Sequence, residues 1–246
     1  MKATAIAARH LRALGCDVEQ AGGCLTARLA AEPSADVVHC EIDWPGPVGL
    51  RLASEADVQA ACGLMHVHGR KNGGPVPLGV DYASVAAGVL ASAGVLAVLI
   101  AQLRGGQARH VRTSVAEAAL LAIAQYLAAA TAEETEEDDG PLLPGGPPFV
   151  SADGVRFEME VLKPEEWLRF WSLLGAPRAA IGQGWRPFES RYATATCPLP
   201  PQLHEAAARL DYAVLAGLAA GAGVSVMPVS DAPARPASAG RPPWSI

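Results

Sequence analysis

Apolar positions recur at helical spacing over residues 4–14 (Ile6, Ala7, Leu11, Leu14), and Gly15 stands where a helix C-cap falls. CDVEQ (16–20) opens a strand. DVVHCEIDW (36–44), rich in Val and Ile, reads as another, ended by Pro45, Gly46 and Pro47. Ser54 with Asp57 three residues on starts a helix that runs to about Cys62. HVHGRKNGGPVPLG (66–79), with four glycines and two prolines, reads as a loop. A helix built of Ala, Gly, Val and Ser follows from about Ala83. ARHVRTS (108–114) reads as a short strand. Ser114 and Glu117 form a capping box for a helix through AEAALLAIAQYLAAAT (116–131).

The pattern then changes. Glu133, Glu134, Glu136, Glu137, Asp138 and Asp139 form an acidic run, continued by PLLPGGPP, and together they read as a self-repelling extended linker over 133–148. Beyond it, Val155, Phe157, Met159 and Val161 alternate strictly behind an Asp153–Gly154 turn, as on a half-buried strand. Pro164 at the first helical position, then Trp167, Leu168, Phe170, Trp171 and Leu174, then Gly175 and Pro177, predict an amphipathic helix with both ends marked. Helical patterns over 202–210 and 212–220 lead into a strand, GVSVMPVS. The reading is thus an α/β domain over 1–132, the linker, a small α+β domain over 149–231 and a mobile tail over 232–246.

Composition narrows the class. The 246 residues are half hydrophobic with 25 glycines and 20 prolines, enough for a real core and too few Gly and Pro for a low-complexity chain. A net charge of -6 argues against nucleic acid as a partner, because phosphate binding needs a basic face. Five cysteines without a CxxC pair form neither a disulfide framework nor a zinc module, so the reducing cytoplasm is the expected location and no metal is expected. Tyr82 to Leu103 carries no charge and is long enough to span a bilayer, but its Ala and Gly content suits the centre of a folded core better. The first fifteen residues lack the sustained apolar stretch of a signal peptide. There is no GxGxxG, P-loop, GxSxG or HExxH.

Four pieces occur in one order: QAACGLM (59–65), PVPLG (75–79) before the small-residue helix, RGGQARHVRTSVAEAAL (104–120), and DGVRFEMEVLKPEEWLRFWSLLGAP (153–177) with AAGAGVSVMPVSD (219–231) downstream. In this the chain resembles the class III CoA-transferases, which include formyl-CoA transferase, carnitine CoA-transferase and α-methylacyl-CoA racemase. The resemblance implies a Rossmann-like CoA-binding domain, here partial, plus a small α+β domain, with two chains interlocked as rings. It implies an acyl-CoA or related acyl thioester as substrate, without a separate cofactor. In such transferases an Asp just before the core helix attacks the thioester carbonyl and carries the acyl group as a mixed anhydride. A carboxylate suits that task because CoA can depart and return, provided the weak nucleophile is desolvated and held at a helix N-terminus.

Aligning Gly79, Gly88 and Gly94 with the family's glycines places Ser84 at the nucleophile position, with Asp81 three residues earlier. Four residues are therefore candidates for the chemistry. Asp81 could carry the acyl group directly. Ser84 could form an ester if His66, His68 or Asp81 activated it, or could serve only as a helix N-cap. On an extended segment His66 and His68 would share a face. Ser54 and Glu55 stand where the racemase branch has a His–Asp pair, which disfavours a histidine base. Gly145 and Gly146 match either the family's glycine loop over the acyl group or plain linker. ALGCDVEQ (13–20) resembles the family's LGAxVIKVE, but most of the CoA-contacting region that would follow is absent. Two roles follow: an acyl-CoA enzyme working as a homodimer, or a non-catalytic subunit paired with a full-length relative; a module binding a small acid is a third.

Overall fold

The computed structural model describes residues 1–32, 36–132 and 145–230. The acidic run, the start of the Pro/Gly stretch and the tail lie outside the described residues. The rest falls into two compact units: Met1–His68 with Val76–Thr131, and Gly69–Pro75 with Ala132 and residues 145–230.

The first unit runs α1 (Lys2–Ala13), β1 (Cys16–Ala21), β2 (Cys24–Leu29), β3 (Val38–Asp43), α2 (Glu55–Ala61), α3 (Leu64–Gly69), α4 (Tyr82–Leu103), β4 (His110–Ser114), α5 (Val115–Ala122) and α6 (Ala124–Thr131). Its sheet has the order β1-β2-β3-β4. Strands β1, β2 and β3 pair antiparallel, while β3 and β4 pair parallel with His39 opposite His110 and Asp43 opposite Ser114. Only the β3–β4 crossover, carrying α2, α3 and α4, has the parallel connectivity of a Rossmann-like sheet. The fold class is α/β, as expected, with a hairpin rather than further parallel strands at its edge.

That hairpin exists because Gly22 adopts a positive φ of 59° and Gly23 lies where a Cβ would stand 2.6 Å from the Ile42 carbonyl oxygen. Leu25 and Ala27 then alternate inward from β2 against Val38, Cys40 and Ile42 of β3. Helix α4 is the spine of the unit. It buries Ala83, Ser84, Ala87, Gly88, Ala91, Ser92, Val95 and Leu99, and packs on α1, α5 and the sheet. A Cβ on Gly88 would lie 2.7 Å from the Ala3 carbonyl oxygen and 2.8 Å from Ile6 Cβ, so α1 and α4 meet closely only because that Cβ is missing. Gly88→Leu is therefore expected to destabilise the protein by about 3 kcal/mol, read from urea unfolding followed by circular dichroism.

Two local expectations change. Residues 66–72 are not loop: Leu64–Gly69 is helical and Arg70–Asn72 forms a 3-10 turn closed by Gly73 at φ 76°. The glycines there act as terminators of short helical turns rather than as loop filler. The helix after Ser114 breaks at Ile123, which turns inward at 4% exposure and ends α5 before α6 begins.

The second unit contains β5 (Phe149–Val150), β6 (Arg156–Glu160), α7 (Pro164–Leu173), α8 (Arg178–Thr194), α9 (Pro201–Ala207), α10 (Tyr212–Ala222) and β7 (Ser225–Pro228). Its antiparallel sheet has the order β5-β6-β7. Phe157, Met159 and Val161 face the core, and Trp167, Phe170 and Trp171 of α7 cover them, so the alternation and the amphipathic helix both stand. Helix α8 has no counterpart in the sequence reading. Two glycines and Pro187 mask its buried face of Ala180, Ile181, Gly184 and Phe188.

Candidate active site at the entrance to helix α4

Ser54 caps α2 by accepting the Asp57 N–H at 3.1 Å, and Asp57 Oδ2 accepts the Ala53 N–H at 3.0 Å in return. The Ala53 N–H, then the Ser54 side chain, hold the Asp57 carboxyl below its usual range. This cap sets Glu55 in the first turn of α2, facing the start of α4. Glu55 Oε1 accepts the Ala83 N–H at 2.8 Å, and Oε2 accepts the Ser84 N–H at 2.9 Å. The Ser84 hydroxyl donates to Glu55 Oε2 at 2.6 Å. A carboxylate from one helix thus closes the N-terminus of another, where the free amides and the helix dipole favour negative charge.

Gln59 locks the arrangement. One turn along α2 from Glu55, its Nε2 donates to Glu55 Oε1 at 3.0 Å and to the Val80 carbonyl at 2.8 Å. Its Oε1 accepts the Leu78 N–H at 3.0 Å, which ties down the loop entering α4. The sequence reading noticed Glu55 only as standing, with Ser54, where the racemase branch has a His–Asp pair, and gave Gln59 no role. The i, i+4 spacing of Glu55 and Gln59 on one helix face is the signal that could have paired them.

Of the four candidate catalytic residues, Asp81 and Ser84 lie at the start of α4 with separate partners, and the two histidines lie on α3. Ser84 is 1% exposed and its hydroxyl is spent on Glu55. Asp81 is the N-cap residue of α4, yet its carboxylate makes no capping hydrogen bond. Its side chain is 39% exposed and forms an ion pair with Lys2 of α1. His66 and His68 sit on α3, where residues two apart point about 200° apart around the axis, so the shared face expected of an extended segment does not form. His68 Nδ1 lies 3.1 Å from the Val76 carbonyl oxygen, and neither imidazole hydrogen-bonds to Ser84 or Asp81.

Gly145 and Gly146 belong to the second unit and pack against residues 197–199. A Cβ on Gly146, whose φ is 89°, would stand 2.7 Å from the Cys197 carbonyl oxygen. All five cysteines are free thiols. Burial pushes the Cys40 and Cys197 thiols up to about 11, so both stay protonated near neutrality and are poor nucleophiles. Among the described residues no group of three or more His, Cys, Asp or Glu side chains could hold a metal ion. Two concave surfaces of the first unit, one lined by Leu99, Gln102 and Gly106 and the other by Gly46, Arg112 and Glu117, do not include Asp81 or Ser84.

The model of CoA-transferase family III matches residues 28–236, so the chain belongs to that family. Human succinyl-CoA:glutarate CoA-transferase is 33% identical over 79 residues, which are 31% of this chain and 18% of that protein. A CaiB/BaiF family protein from Brucella suis has 20% identity and a TM-score of 0.53, covering 80% of this chain and 53% of its own. Rv3272 from Mycobacterium tuberculosis in its orthorhombic form has 21% identity and a TM-score of 0.58, covering 78% of this chain and 52% of its own. The two structures share the fold, and the chain spans about half of their length.

Proposed function

We propose that this protein carries out acyl or CoA transfer on an acyl-CoA or related acyl thioester, with Asp81 as the residue that takes the acyl group. One observation carries the reading: Glu55 caps α4 from outside, which releases the carboxylate of the N-cap residue Asp81 from the capping role and leaves it exposed beside a cation. In the proposed step an Asp81 oxygen adds to the thioester carbonyl carbon. The C–S bond breaks, CoA leaves as its thiolate, and the acyl group stays on Asp81 as a mixed anhydride. For CoA transfer the returning thiolate attacks the Asp81 carbonyl carbon, the donor acid leaves as its carboxylate, and an Asp81 thioester forms. That thioester exchanges with an acceptor carboxylate through a second anhydride, which the thiolate opens at the acceptor carbonyl to give acceptor-CoA and free Asp81. Lys2 offsets the negative charge beside the reacting oxygen. Ser84 is a structural residue in this scheme, since nothing near it can accept its proton except the carboxylate that already holds it.

Intact-mass spectrometry after incubation with a panel of acyl-CoAs tests the proposal. We expect a hydroxylamine-labile acyl adduct in the native chain, its retention in Ser84→Ala and its loss in Asp81→Asn. An adduct that survives Asp81→Asn overturns it.

The second reading is a subunit without acyl transfer of its own. What favours it is the buried serine at the family's nucleophile position and the half-length coverage. That reading expects no adduct with any thioester, and turnover only after a full-length relative is added.

A further inference from the structure

The two strands at the parallel end of the first sheet, β3 and β4, present a polar face. A Rossmann-like sheet is ordinarily covered on both sides, and its strands then read as continuous apolar runs. Here Val38, Cys40 and Ile42 of β3 turn inward and are buried, while His39 and Glu41 between them are exposed. On β4 His110 and Arg112 are exposed in the same way.

Register brings two of these side chains together. His39 pairs directly with His110 across the parallel β3–β4 ladder. Their rings stack with centroids 5.4 Å apart and planes 20° apart. Among the described residues neither ring makes a hydrogen bond, so the ring nitrogens stay open to solvent. Arg112, two residues along β4, turns its charge to Asp43 at 3.1 Å. Glu41, two residues along β3, adds a carboxylate to the same face.

Two imidazoles side by side can chelate a metal ion. Zn²⁺, Cu²⁺ and Ni²⁺ favour imidazole nitrogen, whereas Mg²⁺ and Ca²⁺ take oxygen. On one tetrahedral ion, with metal–nitrogen bonds of about 2.0–2.1 Å, two imidazole rings have centres about 5 Å apart. The His39–His110 separation of 5.4 Å is close to that value before any ion binds. The rings need only turn about χ2 to aim one nitrogen each at a common point, and exposed side chains turn within nanoseconds. The backbone beneath them is held, since the His39 N–H donates to the Arg109 carbonyl at 2.8 Å. Among the described residues no third His, Cys, Asp or Glu joins the pair, so water completes the coordination and the ion exchanges readily.

We propose that His39 and His110 form a two-ligand site for a divalent transition-metal ion on the exposed face of β3 and β4. The ion ties the edge strand β4 to its neighbour, and it stabilises the fold because the two rings meet only where the register has formed. The site uses none of Asp81, Ser84 or Glu55 and does not depend on the acyl-transfer reading.

Isothermal titration of the full chain with zinc(II) chloride tests the proposal, in a Cys24→Ser background that removes the exposed thiol. We expect one ion per chain with a Kd on the order of 10–100 µM, weakened about tenfold or more in His39→Asn and in His110→Asn. Zinc should raise the melting temperature of the parent chain and leave that of His110→Asn unchanged, and magnesium chloride should raise neither. Substoichiometric copper(II) should broaden the ring-proton resonances of His39 and His110 before those of the other histidines. Both substitutions fall at exposed positions, so the circular dichroism spectrum of each should match the parent. A chain that takes up no zinc below about 1 mM overturns the proposal. So does zinc binding that survives both histidine substitutions, or copper broadening centred on other histidines.

Discussion

Trp167→Ala is expected to cost about 4 kcal/mol of stability, the largest effect of any single truncation in the second unit. Trp167 is 1% exposed. Its ring lies 4.7 Å from that of Phe188, 5.4 Å from that of Trp171 and 5.8 Å from that of Trp185, centroid to centroid. Its Nε1 donates to the Ile181 carbonyl at 2.9 Å, which fixes α7 against α8. Truncation to alanine loses the transfer free energy of the indole and leaves a hole between rigid rings that cannot collapse. Gly184 sits with its would-be Cβ 3.1 Å from Trp167 Cζ2, so at that point α8 has no side chain that could fill the space. Guanidinium unfolding followed by far-ultraviolet circular dichroism measures the change. A loss below about 1 kcal/mol would mean that the aromatic cluster is not the core it resembles.

Glu55→Ala is expected to be the most damaging change in the first unit that removes no apolar packing. Four donors lose their acceptor at once: the Ala83 and Ser84 amides, the Ser84 hydroxyl and Gln59 Nε2. Ser84 is buried, so water replaces the carboxylate poorly, and the cost is on the order of 3 kcal/mol. The loss also removes a negative charge from the positive end of a 22-residue helix. Glu55→Gln keeps the size but offers one acceptor oxygen where there were two, and should cost about half as much. Urea melts of the two variants beside the native chain check the order. If Glu55→Ala proves harmless, Asp81 has swung from Lys2 to cap α4 itself, and the acyl adduct of the native chain should then be lost in that variant.

The capping boxes at Ser54 and Ser114, the strict alternation from Val155 to Val161 and the marked ends of α7 were all legible in the chain, because each joins residues within a few positions. Glu55 and Ser84 are 29 residues apart, and no local pattern announces that one caps the helix of the other. The charge-free run of α4 could be recognised as core material, but not that only one side of it would be covered. The break at Ile123 and the helical turns of residues 64–72 went unread because short apolar segments and isolated glycines serve helix, turn and loop alike.

What the amino-acid order determined by itself was part of the inventory: several of the segments that are helix or strand, where some of them start and stop, and membership of a CoA-transferase family through short motifs in sequence. These follow from backbone sterics, side-chain period and neighbouring hydrogen bonds, all of which act over one or two turns. The tertiary structure decided which carboxylate is free. By bringing α2 against the start of α4 it spent Glu55 and Ser84 on each other and left Asp81 exposed beside Lys2, since a helix N-terminus accepts whichever anion the packing delivers to it.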